Sequence, residues 1–131
     1  MTREAACSCG ALAAEREGEP VRVSVCHCLA CQRRTGSAFG AQARFARERV
    51  SGLEREASTF TRVGDAGSHI TFRFCARCGS TVWWEIDALP GFVAVALGAF
   101  AEPSFAQPTV SVYEDRRHPW VTIDGAVEHL D

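Results

Sequence analysis

The seven cysteines are the residues of this sequence with the clearest capacity for chemistry. They fall into three groups whose spacing is typical of metal ligands: Cys7-x-Cys9, Cys26-x-Cys28-x-x-Cys31 and Cys75-x-x-Cys78. A disulfide interpretation is disfavoured, because the count is odd and because pairs this close in sequence would strain a bridge. The pattern instead predicts that all seven cysteines bind metal.

Zinc is the predicted ion, because thiolate-rich tetrahedral sites favour zinc or iron–sulfur clusters. Zn–S bonds of ~2.3 Å require two ligand sulfurs to lie within roughly 4 Å of each other. A Cys-x-x-Cys turn meets this requirement, and so does Cys-x-Cys on a strand, where alternate residues share a face. Gly79 directly follows Cys78, as is common in zinc knuckles. An iron–sulfur cluster remains the alternative.

The number seven suggests two different sites. Structural zinc sites have four protein ligands, whereas catalytic sites have three and keep one position open. The middle group supplies three ligands within six residues, which leaves the first and last pairs to form a closed site. This division gives a four-cysteine cluster of Cys7, Cys9, Cys75 and Cys78, and a three-cysteine cluster of Cys26, Cys28 and Cys31.

A competing division joins the last two cysteines of the middle group with the final pair in one ribbon-like site. The gap between those two pairs is long for a zinc ribbon, and the remaining three cysteines would lack a fourth partner. Spacing therefore favours the four-plus-three division, but the alternative stays open on spacing alone.

The elements that must position these ligands are mainly strands. Apolar residues alternate with polar ones before the second and third cysteine groups, and apolar or β-branched runs follow. Strands are predicted at residues 21–25, 70–74, 80–86, 92–97, 110–112 and 121–123. Helical turns are predicted at residues 29–34, ended by Gly36, and at residues 46–50. We expect a mainly β, single domain over residues 1–131, with seven to ten short antiparallel strands.

Charge and hydropathy narrow the range of partners. The formal net charge is −2, which argues against nucleic-acid binding. No apolar run approaches the ~20 residues of a membrane span, and no secretory signal is visible. We therefore expect a cytoplasmic protein with reduced thiols and no membrane partner. All fourteen basic residues are arginines, which suit bidentate recognition of carboxylates or phosphates.

Three segments together resemble the glutathione-dependent formaldehyde-activating enzyme family, which also contains centromere protein V. They are Cys-Ser-Cys-Gly at residues 7–10, Cys-His-Cys-Leu-Ala-Cys at residues 26–31 and Phe-Cys-Ala-Arg-Cys-Gly-Ser at residues 74–80. Residues 32–39, Gln-Arg-Arg-Thr-Gly-Ser-Ala-Phe, resemble the usual continuation of the middle segment. The resemblance extends from Cys7 to about Trp120 and includes all seven cysteines.

The resemblance implies a β-rich, tent-like zinc fold. It implies a structural zinc on the four-cysteine cluster and a second zinc on the three-cysteine cluster, in agreement with the division that spacing favours. The implied activity joins glutathione and formaldehyde into S-(hydroxymethyl)glutathione, the reverse reaction being that of a carbon–sulfur lyase. A related thiol–aldehyde adduct stays open as the substrate, because family membership does not fix the substrate.

The three-cysteine cluster is the predicted catalytic site, because an incoming thiol that binds its open position would lose its proton. Glutathione carries two carboxylates, and Arg33 and Arg34 directly follow Cys31, so they are candidates to pair with one of them. Ser37 is a candidate hydrogen-bond donor to the peptide. His27 lies between two ligands and is predicted to face away from them.

Two alternatives to an enzyme are compatible with the sequence. One is a non-catalytic zinc module that binds glutathione or a protein partner. The other is a redox sensor, because a labile three-thiolate zinc site can release its metal on oxidation. Either a monomer or a homodimer is compatible with the sequence.

Overall fold

The computed structural model describes residues 2–64, 66–125 and 127–131, and within them the fold is mainly β, as predicted. A single α-helix, α1 (Leu29–Thr35), and short 3-10 turns at Arg47–Arg49, Leu97–Phe100 and Glu114–Arg116 complete the described elements. The strands are β1 (Thr2–Ala6), β2 (Ala13–Glu17), β3 (Arg22–Cys26), β4 (Gly40–Ala46), β5 (Val50–Ser51), β6 (Ser58–Val63), β7 (His69–Phe74), β8 (Thr81–Ile86), β9 (Phe92–Ala96), β10 (Val110–Val112) and β11 (Glu128–His129).

The strands form two sheets. A three-stranded sheet has the order β1-β2-β5, and an eight-stranded sheet has the order β11-β10-β3-β4-β9-β8-β7-β6. Sequence neighbours β3 and β4, β6 and β7, β7 and β8, and β8 and β9 pair antiparallel, so most of the large sheet is a series of hairpins. The first and third cysteine groups therefore belong to different sheets, because β1 precedes Cys7 and β7 precedes Cys75.

The main hydrophobic core lies between these two sheets. The small sheet contributes residues such as Ala5 and Ala14, and the large sheet contributes Phe45, Val93 and Val95. Because side chains alternate along a strand, the residues between these core positions point to the opposite face of the large sheet. On that second face, side chains of β3, β4, β7 and β8 form a wall of the candidate site.

Local hydrogen bonds define both ends of helix α1. Cys28 is its N-cap, with the Sγ atom accepting a hydrogen bond from the backbone N–H of Cys31 at 3.3 Å. Gly36 ends the helix in a left-handed conformation with φ of 65°, and its N–H donates to the carbonyl of Gln32. The predicted helix at residues 29–34 is thus confirmed, together with its glycine cap.

Several details differ from the expectations. Eleven strands occur in the described residues, of which two contain only two residues. The predicted strand at residues 121–123 is wrong, because that segment has no strand pairing and β11 supplies the last strand instead. The helical turn predicted at residues 46–50 is present as a 3-10 turn at Arg47–Arg49, and Val50 begins the next strand.

Strand direction also departs from the all-antiparallel expectation at one edge of the large sheet. Strand β10 pairs parallel with both β3 and β11. Side-chain alternation indicates which face a residue occupies and not the direction of a strand, which depends on the path of the long connection from β9. No helix among the described residues is both long and apolar enough to cross a membrane.

Glu85 on β8 joins two arginines and makes stability depend on pH. Its carboxylate accepts hydrogen bonds from Arg47 and Arg73, each at 2.7 Å. Burial alone would raise the pKa of Glu85, but the two guanidinium groups outweigh burial and lower the pKa. The ion pairs therefore contribute stability above the carboxylate's unfolded-state pKa of about 4.3, and this contribution is lost as pH falls through the lower folded-state pKa.

Glu85→Gln should reduce the free energy of unfolding by about 1 kcal/mol at pH 7, and the difference from the wild-type protein should shrink as pH falls toward 3. Urea unfolding at both pH values measures this. Glu54→Gln, at an exposed position, is the matched control and should have little effect at either pH. A difference that grew on acidification would contradict the assignment.

Candidate active site

The four-cysteine cluster forms where two turns meet. Cys7 and Cys9 lie in the turn after β1, and Cys75 and Cys78 lie in the turn between β7 and β8. The Sγ atoms of Cys7 and Cys9 are 3.7 Å apart, and those of Cys9 and Cys75 are 3.6 Å apart. All four sulfur atoms lie within 4.8 Å of one another.

These distances fit a tetrahedral zinc. Four Zn–S bonds of ~2.3 Å in tetrahedral geometry separate the sulfur atoms by about 3.8 Å. The cluster can therefore hold a metal ion without rearrangement of the backbone. Since its two pairs come from different sheets, a bound ion would tie the edge of the small sheet to the β7–β8 hairpin. The hydroxyl groups of Ser8 and Ser80, 2.9 Å apart, already link the same two turns.

Neighbouring groups favour the charged form of one ligand. The backbone N–H and the hydroxyl of Ser80 lower the pKa of Cys78 to about 5. Cys9 and Cys78 are exposed, whereas Cys7 and Cys75 are buried. The cluster thus has an inner pair that faces the core and an outer pair that faces solvent.

The three-cysteine cluster begins 17 residues after the first group in sequence, and it lies at the end of β3 opposite to the β2–β3 turn. Cys26 ends β3, Cys28 caps α1 and Cys31 lies in the first turn of that helix. Their sulfur atoms lie within 4.8 Å of one another, and all three residues are buried. The structure therefore separates the seven cysteines into the same groups of four and three that spacing favoured.

The pKa values of the three thiols are shifted in different directions. Hydrogen bonds from Cys26 and then from Cys31 lower the pKa of Cys28 to about 2, and the positive charge of Arg62 acts in the same direction. The same contact with Cys28 raises the pKa of Cys26. A donor set of three soft sulfur atoms suits a soft or borderline cation such as zinc.

His27 lies outside both clusters, on the far side of the loop between Cys26 and Cys28. It is fully buried, and its Nε2 shares a hydrogen bond of 2.9 Å with the hydroxyl of Ser111 on β10. Ser111 in turn bonds to Glu114, whose carboxylate is 2.6 Å from Nδ1 of His129. This chain of side chains anchors the three-cysteine loop to the C-terminal strands.

Ser111→Ala should lower the free energy of unfolding by about 1–3 kcal/mol, because it leaves the buried Nε2 of His27 without a partner. The Nδ1 atom of the same ring already has no hydrogen-bond partner among the described residues. Urea unfolding of the zinc-loaded protein measures the loss. Ser104→Ala, in an exposed turn, is the control, and equal stabilities of the two variants would contradict the anchoring role.

A cavity of about 370 Å³ opens beside the three-cysteine cluster, and all three of its cysteines line the wall. The remaining wall combines aromatic and apolar side chains with three arginines. No aspartate or glutamate is among the described residues that line it. The wall includes Arg22, Ser24, Gln42, Arg44, Arg62, Phe72, Trp84 and Val112.

The predicted glutathione contacts occupy other positions around α1. The guanidinium of Arg34 stacks over Trp84, 4.5 Å from the ring centroid, and Arg33 and Arg34 line a second groove of about 380 Å³. That groove shares Arg62 and Phe72 with the cavity. Ser37 lines a third, open depression with Trp120 and His118 on the other side of the helix. Among the described residues, none of these three predicted contacts lines the cavity of the cysteines, and their role stays a prediction.

Three arginines that do line the cavity were not singled out from the sequence. Arg22 and Arg44 lie on β3 and β4, and Arg62 lies on β6. The position of Arg22 could have been predicted from the sequence. Arg22 alternates with core valines and lies an even number of residues from Cys26, so both side chains share one face of the strand. The position of Arg62 depends on the pairing of β6 with β7 and has no such signal.

Comparison with known proteins identifies a family whose sequence profile matches this chain. The sequence profile described as "Glutathione-dependent formaldehyde-activating enzyme" matches residues 2–116. A crystal structure of a structural-genomics target protein from Rhodobacter sphaeroides is similar in fold, with a TM-score of 0.56 and 18% sequence identity over 73% of this chain and 85% of that chain. Among curated proteins, no significantly similar relative was found.

Proposed function

Because the chain belongs to the glutathione-dependent formaldehyde-activating enzyme family, we propose that it is a zinc-dependent enzyme that joins glutathione and formaldehyde, or cleaves their adduct. In the cleaving direction it is a carbon–sulfur lyase, and a related thiol–aldehyde adduct is within the same proposal. The four-cysteine cluster holds a structural zinc, and the three-cysteine cluster holds the catalytic zinc. Metal binding by the seven cysteines requires reduced thiols, so we propose a cytoplasmic location.

The observation that carries this proposal is the placement of the three-cysteine cluster in the wall of a cavity. A purely structural site is closed by four protein ligands, whereas this one offers three and adjoins a space large enough for a small molecule. A zinc ion bound there supplies an open coordination position and lowers the pKa of a thiol that enters it.

The residues of the chain supply the rest of the environment. Phe72, Trp84 and Val112 form apolar walls that limit access of water to the reacting sulfur. Arg62 lies near enough to Cys28 to favour negative charge on that sulfur, and it lines the same cavity. Cationic side chains in the wall stabilise both a thiolate and the oxyanion that forms when a carbonyl is attacked.

The reaction balances without a further reactant. The sulfur of the thiol forms a bond to the carbonyl carbon of formaldehyde, and the π electron pair moves to the oxygen. That oxygen takes up the proton that the thiol released, which gives the S-hydroxymethyl adduct. In reverse, the adduct loses its hydroxyl proton, the C–S bond breaks, and the sulfur leaves as a thiolate.

Exchange NMR of glutathione with formaldehyde tests the proposal directly. At micromolar protein with two zinc ions per chain by metal analysis, the exchange between free and adduct-bound glutathione should be faster than without protein. No acceleration under those conditions would refute the reaction. Glutathione binding without acceleration would favour a non-catalytic thiol-binding module instead.

A further inference from the structure

The face of β3 and β4 that lines the cavity forms a short ladder of paired positions. Cys26 lies opposite Gly40, Ser24 opposite Gln42, and Arg22 opposite Arg44. Alternate residues on a strand share a face, so the cysteine end and the arginine end of this ladder border the same space. Except for Gly40, each of these residues also lines the cavity.

The pairing of Arg22 with Arg44 is unfavourable for the protein alone. Two like charges directly opposite each other on antiparallel strands destabilise the pairing. Neither arginine has an ion-pair partner among the described residues, and the Nε atom of Arg22 is buried without a hydrogen-bond acceptor. Burial, followed by the neighbouring charge of Arg22, lowers the pKa of Arg44. No described residue of the cavity wall carries an acid that would balance this cationic pair, so an anion bound in the cavity would stabilise it.

A second unsatisfied group lies between the arginines and the cysteines. The Oε1 atom of Gln42 is buried and has no hydrogen-bond donor among the described residues. A buried amide oxygen without a partner is costly for the protein, and it can accept a hydrogen bond from the N–H of a bound peptide. Ser24, opposite Gln42 and buried, adds a hydroxyl at the same level of the ladder.

We propose that Arg22 and Arg44 form the carboxylate-binding subsite of the cavity, and that the ladder selects peptide thiols in which an amide separates the sulfur from a carboxylate. The sulfur lies at the three-cysteine cluster, a peptide N–H donates to Oε1 of Gln42, and the carboxylate lies between the two guanidinium groups. This inference rests on the proposed function, since it names how the same site recognises its thiol.

Lengths along the ladder agree with such a ligand. Cys26 and Arg22 are four residues apart on one strand, which corresponds to about 13 Å between their Cα atoms. An extended peptide spans about 3.3–3.6 Å per residue, so a sulfur and a carboxylate separated by one amide lie about 4–7 Å apart. The cysteine and arginine side chains reach into the cavity from both ends and shorten the remaining gap. A thiol with no carboxylate, or one with a carboxylate directly beside the sulfur, would leave the arginine end unfilled.

Binding of S-methylglutathione to the zinc-loaded protein, measured by calorimetry, tests the subsite. This probe keeps both carboxylates but has no free thiol, so its binding does not require turnover. Arg44→Gln should weaken its binding by about tenfold or more, as expected for the loss of a charge-assisted hydrogen bond. Arg49→Gln is the matched control, because Arg49 is exposed and lies outside the cavity, and it should bind as the wild-type protein does.

The diethyl ester of S-methylglutathione gives the complementary measurement. It should bind the wild-type protein about tenfold more weakly than the acid, and Arg44→Gln should not weaken it further. Thermal unfolding of Arg44→Gln should show equal or greater stability than the wild-type protein, since the substitution removes a like-charge pair. A lower affinity with undiminished stability distinguishes recognition from a structural role, and Arg22→Gln repeats the test if Arg44→Gln does not fold.

The outcomes separate this inference from the proposed reaction. Equal affinities for the acid and the ester, or no detectable binding of the acid at millimolar concentration, would overturn the subsite even if the protein accelerates the glutathione–formaldehyde exchange. Arg44-dependent binding of the acid without any acceleration would support the subsite and refute the reaction. If Arg44→Gln loses affinity for the acid and for the ester equally, that result would also overturn the subsite.

Discussion

Cys78→Ser should remove most of the stability of the protein, although Cys78 is exposed. Most exposed substitutions change the free energy of unfolding by no more than about 0.5 kcal/mol. A structural zinc contributes far more, with apparent binding free energies of about 10–16 kcal/mol in zinc-finger peptides, against about 5–15 kcal/mol for the stability of a whole domain. We therefore expect a loss of at least about 4 kcal/mol and a fall in Tm of at least about 10 °C.

The structural reason is that the four-cysteine cluster brings together residues that are far apart in sequence. Cys9 and Cys75 are 66 residues apart in sequence and 3.6 Å apart at their Sγ atoms. Their turns belong to different sheets, so loss of the ion releases the edge of the small sheet from the β7–β8 hairpin. Excess chelator should produce the same unfolding in the wild-type protein and little further change in the variant.

Calorimetric or fluorescence-monitored unfolding, combined with zinc analysis, measures this effect. Ser80→Ala is the matched control: it alters the same turn, where Ser80 bonds to Ser8, but leaves all four ligands in place. It should cost about 1 kcal/mol. If Cys78→Ser unfolds within a few degrees of the wild-type protein and keeps two zinc ions, the cluster does not hold a structural metal.

Cys31→Ser should abolish catalysis while leaving the fold intact. This residue is one of three ligands in the cavity wall, and no fourth cysteine lies close enough to replace it. Substitutions of groups that only orient metal ligands already cost 10–100-fold in metal affinity or activity, so loss of a ligand should lower kcat/KM at least about 100-fold. The variant should hold one zinc ion per chain.

The contrast between the two substitutions is the informative measurement. Cys31 lies in a segment of six residues that holds all three ligands, so its metal closes no long loop. Its loss should therefore lower Tm much less than the loss of Cys78. Exchange NMR and unfolding of the two variants, prepared in parallel, give the comparison. Undiminished exchange by a folded Cys31→Ser protein would place the reaction elsewhere in the molecule.

Parts of this architecture could be predicted from the sequence because they depend on neighbours along the chain. The helix at Leu29–Thr35 follows from a side chain that caps its start and a glycine that ends it. Strands β3, β7, β8 and β9 follow from alternation or from β-branched runs. Short strands such as β5 and β11 contain two residues each, too few for any periodicity, and were not predicted.

The sequence by itself determined the local ligand sets, since the three-cysteine cluster lies within six residues and each outer pair lies within one turn. Only the tertiary structure decided which pairs meet and which arginines face the thiol site. Arg33 and Arg34 follow Cys31 directly, yet the helix directs them toward a neighbouring groove, whereas Arg22, Arg44 and Arg62 reach the cavity from three strands. The physical reason is that spacing along a chain sets local geometry, while strand register and the burial of one sheet face determine which distant side chains share a space.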